Sequence, residues 1–266
     1  MSPVAALPRR DRLFISAALV LVTALAWAYL VTLDRQMSAS MEYDTMMADM
    51  GMSMDKPWSA ADVVFTFAMW VVMMVGMMAS AAAPVLFLFA AARRARGEQG
   101  LALAVLTFGV GYLLVWVGFS AVATLGQWTL HEGAMLSPAM AASTPQMGGV
   151  ILIAAGAYQL TPWKGACLAH CRSPLGFLMT HWREGATGAL RMGSRHGVFC
   201  LGCCWALMCV LFVVGVMNLV WVAALAALVL IEKTGPLGTV VARVAGVALV
   251  IIGVLFVAGA SPPPPG

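Results

Sequence analysis

The chain has 266 residues, of which 62% are hydrophobic and 10% charged, a charged fraction well under half the roughly 25% of an ordinary soluble domain. An average this apolar requires several segments each long enough to cross a bilayer, which excludes the soluble globular, disordered and nucleic-acid-binding classes. The net charge of +4, from 15 Lys and Arg against 11 Asp and Glu, therefore informs topology rather than an acidic partner.

A spanning helix needs about 20 mainly apolar residues. Residues 1–12 form a cytoplasmic segment carrying Arg9, Arg10 and Arg12, and residues 13–33 supply the first helix. The apolar run continues into Thr32-Leu33-Asp34-Arg35 with no small-x-small cleavage site, so it reads as uncleaved. Residues 34–61 are a Met-rich extracytoplasmic loop. A six-helix membrane domain follows over residues 62–260, with spans predicted at 62–92, 101–126, 148–160, 198–215, 217–231 and 237–259. Pro84 is expected to kink or end the second helix, which is too long for a straight span. Gly215-Val216-Met217-Asn218 is the only turn signal between 198 and 231. An unbroken rod there would be near 50 Å long at about 1.5 Å per residue, too long for a core of ~30 Å, so a tight hairpin is expected.

The inner connection, residues 161–197, has an amphipathic stretch of Phe177, Leu178, Met179 and Trp182 interspersed with Arg183, Arg191 and Arg195, the pattern of a helix lying on an anionic inner leaflet. The Pro-rich tail, residues 261–266, cannot be helical. With the first basic cluster inside, thirteen of the 15 Lys and Arg fall on inner segments and only Arg35 and Lys56 outside. The fold predicted is an all-α, polytopic transmembrane helical bundle of about seven spans, amino terminus in and carboxyl terminus out.

This topology sorts the sulfur residues by side. Of 20 methionines, seven lie between Met37 and Met54: Met37, Met41, Met46, Met47, Met50, Met52 and Met54. Met69, Met73, Met74, Met77 and Met78 follow in the second helix, and Met135, Met140 and Met147 in the next outer loop. All six cysteines, Cys167, Cys171, Cys200, Cys203, Cys204 and Cys209, fall on the inner side or in the inner half of a helix.

Thioethers and thiolates are soft donors that together select monovalent copper over harder divalent ions. Methionine keeps its donor in an oxidising compartment, while thiols survive in a reducing one. Met46, Met47, Met50, Met52 and Met54 are therefore candidate outer ligands. Met73 and Met77, one turn apart on the same helix face, are candidate ligands within the membrane. Helix methionines also pack readily as core filler.

Cys167-Leu-Ala-His170-Cys171 sets two thiols four apart, adjacent on a helix face. Cys200, Cys203 and Cys204 follow the i, i+3, i+4 pattern, and Cys209 lies on the opposite side. The two blocks are expected at similar depth, where they could converge with His170 at the edge. Their spacing lacks the paired knuckles of a closed zinc ribbon. The alternative is that they are buried small apolar residues.

Other polar residues carry less. His131-Glu132 lacks the second His of a zinc protease motif. His181 and His196 lie in the basic inner segment, where a solvated role weighs at least as much as a functional one. Gln159, Asn218 and Glu232 lie near helix ends, where interhelical hydrogen bonding or an ion pair of Glu232 with Lys233 or Arg243 is the default. No catalytic residue is assigned, since there is neither a phosphate loop nor a nucleophile elbow.

The stretch Trp70-Val-Val-Met73-Met74-Val-Gly-Met77-Met78, the block from Gly156 through Tyr158, Gln159, Pro162, Lys164, Cys167, His170, Cys171 and Arg172 to Pro174, and the run Cys200-Leu-Gly202-Cys203-Cys204-Trp205-Ala-Leu-Met208, with Met217-Asn218-Leu219 and Glu232-Lys233, resemble a bacterial family of unknown function described as predicted metal-binding integral membrane proteins. The resemblance spans roughly residues 60–255, and the two Cys blocks are its most specific part. It implies a multi-helix inner-membrane protein with a metal site carried by those blocks. The Met-rich loop lies outside it, so that reading rests on the residues alone.

The function expected is a copper(I)-handling, multi-pass protein of the bacterial inner membrane, acting in transport or in metal transfer. Its partners would be the lipid bilayer, the metal ion and a copper enzyme or metallochaperone, with no nucleic acid. Copper(I) is the expected metal, another soft or borderline metal the alternative. Two other functions stay open: a membrane redox or metalloenzyme using the Cys clusters, and a structural subunit of a membrane complex.

Overall fold

The computed structural model describes residues 7–49, 58–133, 135 and 142–259, apart from the side chains of residues 41–45, 48 and 49. The described chain is all-α. In order it forms α1 (Arg9–Asp49), α2 (Ala60–Met78), a 3-10 turn (Ser80–Ala82), α3 (Ala83–Ala95), α4 (Leu101–Glu132), α5 (Pro145–Gln159), α6 (Pro162–Arg172), α7 (Pro174–His181), α8 (Gly185–Cys209), α9 (Leu211–Val214), α10 (Leu219–Thr234) and α11 (Gly238–Val257).

Five helical segments are long and apolar enough to cross a membrane: Arg9–Ser40, Ala60–Met78, Leu101–Glu132, Gly185–Val214 and Gly238–Val257. The other two predicted spans correspond to α5 and α10, which have 15 and 16 residues. At about 1.5 Å per residue they are about 22–24 Å long. Both are packed within the bundle, α5 against α11 and α10 beside α6 and α8.

Local chemistry explains the boundaries. Ser59 caps α2 through a reciprocal box, its backbone N–H donating to Asp62 Oδ2 at 2.8 Å while its side chain accepts from the Asp62 N–H, so the helix starts just before the predicted position. The predicted 62–92 span is broken rather than continuous. Pro84 is the second residue of α3, where its missing N–H is not needed. An unbroken helix would press its ring on the carbonyl of Ser80, and the 3-10 turn starting at Ser80 removes that clash. The predicted hairpin turn is present: α9 ends at Gly215, whose φ of +94° suits glycine alone, and Asn218 caps α10 by accepting from the Trp221 N–H.

Two regions differ from expectation. The Met-rich segment is helical through Asp49, because α1 runs on well past residue 33. The inner connection is not one surface helix but α6, α7 and the first turns of α8. Phe177 and Leu178 of α7 are buried while Leu175 and Met179 are exposed, so α7 turns one part of its apolar surface to the protein and leaves the other uncovered. Met50, Met52, Met54, Met140 and the proline tail lie outside the described residues.

Glycine sets the closest helix approaches. A Cβ on Gly193 of α8 would collide with the Phe108 carbonyl oxygen of α4, and one on Gly111 of α4 would collide with that of Leu190. On the other side, Gly149 and Gly156 of α5 meet Gly253 and Gly246 of α11, with no room for a Cβ at either level. Close approach through small residues is also how helices pack in membrane proteins, where lipid supplies no hydrophobic drive. Trp70, Met73, Met74, Met77 and Met78 of α2 and Phe108, Tyr112 and Trp116 of α4 fill the core.

Candidate metal centre

The i, i+3, i+4 spacing of Cys200, Cys203 and Cys204 places all three on the buried face of α8, each 1% exposed. The Cys203 and Cys204 thiols donate to the Cys200 carbonyl at 3.1 and 2.9 Å, which turns the three sulfurs to one side. Neighbouring helices close around them. From α4, the Tyr112 hydroxyl lies 2.9 Å from Cys200 Sγ and also donates to the Met78 carbonyl at 3.0 Å. From α10, Lys233 Nζ lies 2.7 Å from Cys200 Sγ and 4.0 Å from Cys204 Sγ.

The second Cys block arrives on α6. Cys171 Sγ is 4.0 Å from Cys203 Sγ. Cys167 lies against Gly202, where a Cβ would approach its sulfur to 2.7 Å. The two blocks, well separated along the chain, therefore meet. Burial pushes the Cys167 thiol up, and at Cys171 the hydrogen bond with Cys203 and then burial do the same. Both are thiols rather than thiolates at neutral pH, and binding a soft metal releases their protons.

What holds α6 in place is a buried polar knot. Lys164 Nζ pairs with Glu232 Oε2 at 2.6 Å, both side chains 1% exposed. Gln159 Nε2 donates to Glu232 Oε1 at 3.0 Å, and Lys164 also donates to Gln159 Oε1. Arg172, at the end of α6, donates to the carbonyls of Glu232 and Gly235 at 2.6 and 2.8 Å, a cation on the orphan acceptors of a helix C-terminus. The expected interhelical bonding of Gln159 and Glu232 is present, but the ion-pair partner is Lys164, not Lys233 or Arg243.

His170 is held by Phe199 and by its own helix. Its ring stacks on Phe199 with centroids 4.1 Å apart, and Nδ1 faces the Ala166 carbonyl at 2.9 Å. His196 is not in solvent: it is 3% exposed, with a buried Nδ1 that has no hydrogen-bond partner. It packs against Tyr112 and Phe177, one helical turn before Cys200. Met73 and Met77 are buried in the core, Met46 is exposed and Met47 half-buried at the end of α1. Cys209, half-buried at the end of α8, stands apart.

Among the described residues, no three His, Cys, Asp or Glu side chains converge as a closed ligand set. The donors stand instead as two groups, Cys200 and Cys204 beside Lys233 and Cys203 against Cys171. Such two-thiol groups fit a soft monovalent ion better than zinc, which wants four ligands. Tyr112 and Lys233 are the components that sequence reasoning passed over. Neither carries a local signal: Lys233 reads as the ion-pair partner of Glu232, and Tyr112 is one aromatic among several in α4.

Gly202 gives a direct check on the Cys167 position. Gly202→Ala is expected to push the sulfur out of its seat and to speed its alkylation by a maleimide in the folded protein, with little loss of helicity. An unchanged labelling rate would contradict the contact.

Residues 67–256 match the model of a family described as PpoB2, copper chaperone. No curated protein and no solved structure matches the chain.

Proposed function

The chain belongs to the PpoB2 copper chaperone family, and from that premise we propose that it passes copper(I) through a buried thiol centre of Cys171, Cys200, Cys203 and Cys204, with Cys167 at its edge. The observation that carries this reading is the meeting of the two Cys blocks, Cys171 Sγ and Cys203 Sγ lying 4.0 Å apart on different helices. Copper handling accounts for soft donors brought together from two helices and left free of disulfides. A structural role for the cysteines would not need them aligned along one face beside a cation.

In this reading the protein sits in a bacterial inner membrane with the thiols toward the cytoplasm. Met46, Met47, Met50, Met52 and Met54 collect the ion outside, and Met73 and Met77 line its way. Tyr112 supports that route, since its hydroxyl touches both the carbonyl of Met78, the last residue of the Met-bearing helix, and Cys200 Sγ. Thiolates bind more tightly than thioethers, so the ion moves inward to a sink, from which a copper enzyme or a metallochaperone receives it.

The test is metal content of the reduced, detergent-purified protein loaded with copper(I). Wild type should hold copper near stoichiometrically, and the Cys200→Ser, Cys204→Ser double variant should lose it. Removing ligands should cost more than the roughly 10–100-fold lost with an outer-shell partner. Copper retention by the double variant would sink the thiol centre. No copper in wild type, with a disulfide forming reversibly between Cys171 and Cys203, would favour the redox enzyme instead.

A further inference from the structure

Lys233 is the one cation among the described side chains that touch Cys200 and Cys204. It is 6% exposed, next to last in α10, and its Nζ lies 2.7 Å from Cys200 Sγ and 4.0 Å from Cys204 Sγ. Glu232 beside it does not neutralise it, because that carboxylate is taken by Lys164 and Gln159. Among the described residues Lys233 has no carboxylate partner. An ammonium buried without a counter-ion is expensive, and the groups placed to balance it are the two sulfurs.

The charge count then depends on the ion bound. Two cysteines bind a monovalent ion as thiolates, and the resulting dithiolate complex carries one negative charge. With Lys233 beside it the buried assembly is neutral. A divalent ion on the same two thiolates is already neutral, so Lys233 leaves one uncompensated positive charge in a low-dielectric interior, where it is costly, and the third thiolate that would cancel it, Cys203, is engaged with Cys171.

We infer that Lys233 is the specificity-determining residue of the centre: a fixed positive charge beside Cys200 and Cys204 that admits soft monovalent cations and rejects soft divalent ones. This rests on the thiol-centre reading above and adds to it the class of cargo, set by charge rather than by softness.

Silver(I) and cadmium(II) separate the two properties, because both are soft and differ in charge. The full-length protein, reduced and in detergent, is equilibrated with both ions, and the bound ratio is read by mass spectrometry for wild type, Lys233→Met and Lys233→Arg. Wild type should retain silver over cadmium. Lys233→Met should shift the ratio toward cadmium by at least about tenfold, and Lys233→Arg, which keeps the charge, should stay near wild type. An unshifted ratio in Lys233→Met, or cadmium held by wild type as well as silver, overturns the inference while leaving the thiol centre standing. If Lys233→Met does not yield folded protein, a ratio lost in Lys233→Arg overturns it equally. Wild type that binds neither silver nor copper(I) through Cys200 and Cys204 overturns both readings.

Discussion

Glu232→Ala is expected to destabilise the protein by about 3–5 kcal/mol, the cost of leaving one member of a buried ion pair uncompensated. Lys164 would be stranded at 1% exposure, and Gln159 would lose its acceptor. The damage should reach the metal centre as well. Glu232 ties α10 to α6 and α5 through Lys164 and Gln159, and α6 carries Cys171 to Cys203. Two measurements separate these effects: the melting temperature in detergent, and the yield of a Cys171 to Cys203 crosslink under mild oxidation. Both should fall. Replacing the whole pair, Lys164→Met with Glu232→Leu, should recover much of the melting temperature, since it removes the buried charges together. A double variant as unstable as the single would show that hydrogen-bond geometry, not the charge, holds α6.

Gly193→Val should be nearly as damaging, for a different reason. Even a bare Cβ there would overlap the Phe108 carbonyl oxygen, a backbone atom that cannot swing aside. Helices α4 and α8 must separate, at a cost of about 1–3 kcal/mol or more for overpacking. The separation draws Tyr112 away from Cys200, so copper retention should fall along with thermal stability. Gly109→Val is the control. It lies on α4 with nothing within 4 Å of a Cβ, and should leave both measurements near wild type. Equal effects at the two positions would argue against the crossing described.

Much of this is legible in the sequence wherever a signal is local. Apolar run length gives the long helices, Gly215 and Asn218 mark the hairpin, and the i, i+3, i+4 spacing puts three thiols on one face. Local signals also have a characteristic failure. Glu232 and Lys233 are neighbours in the chain and look like a pair, yet adjacent helical residues point about 100° apart, so each finds its own partner on a different helix. The solvated reading of His196 arises because arginines surround it in sequence, although on the helix it shares the inward face of Cys200. The meeting of Cys171 with Cys203 depends on a knot of side chains from three helices, and no pattern within one segment encodes that.

The turn at Gly215 to Asn218 has a further consequence. Cys200 precedes Gly215 by the same length of chain by which Lys233 follows Asn218. The two arms of the hairpin are matched, so they return the ammonium to the level of the sulfur it touches. One residue added to either arm would raise its end by about 1.5 Å and rotate it by about 100°, swinging Lys233 off the thiols and another side chain onto them. The hairpin thus works as a length gauge. Its arms tolerate changes of apolar identity far better than any change in residue count.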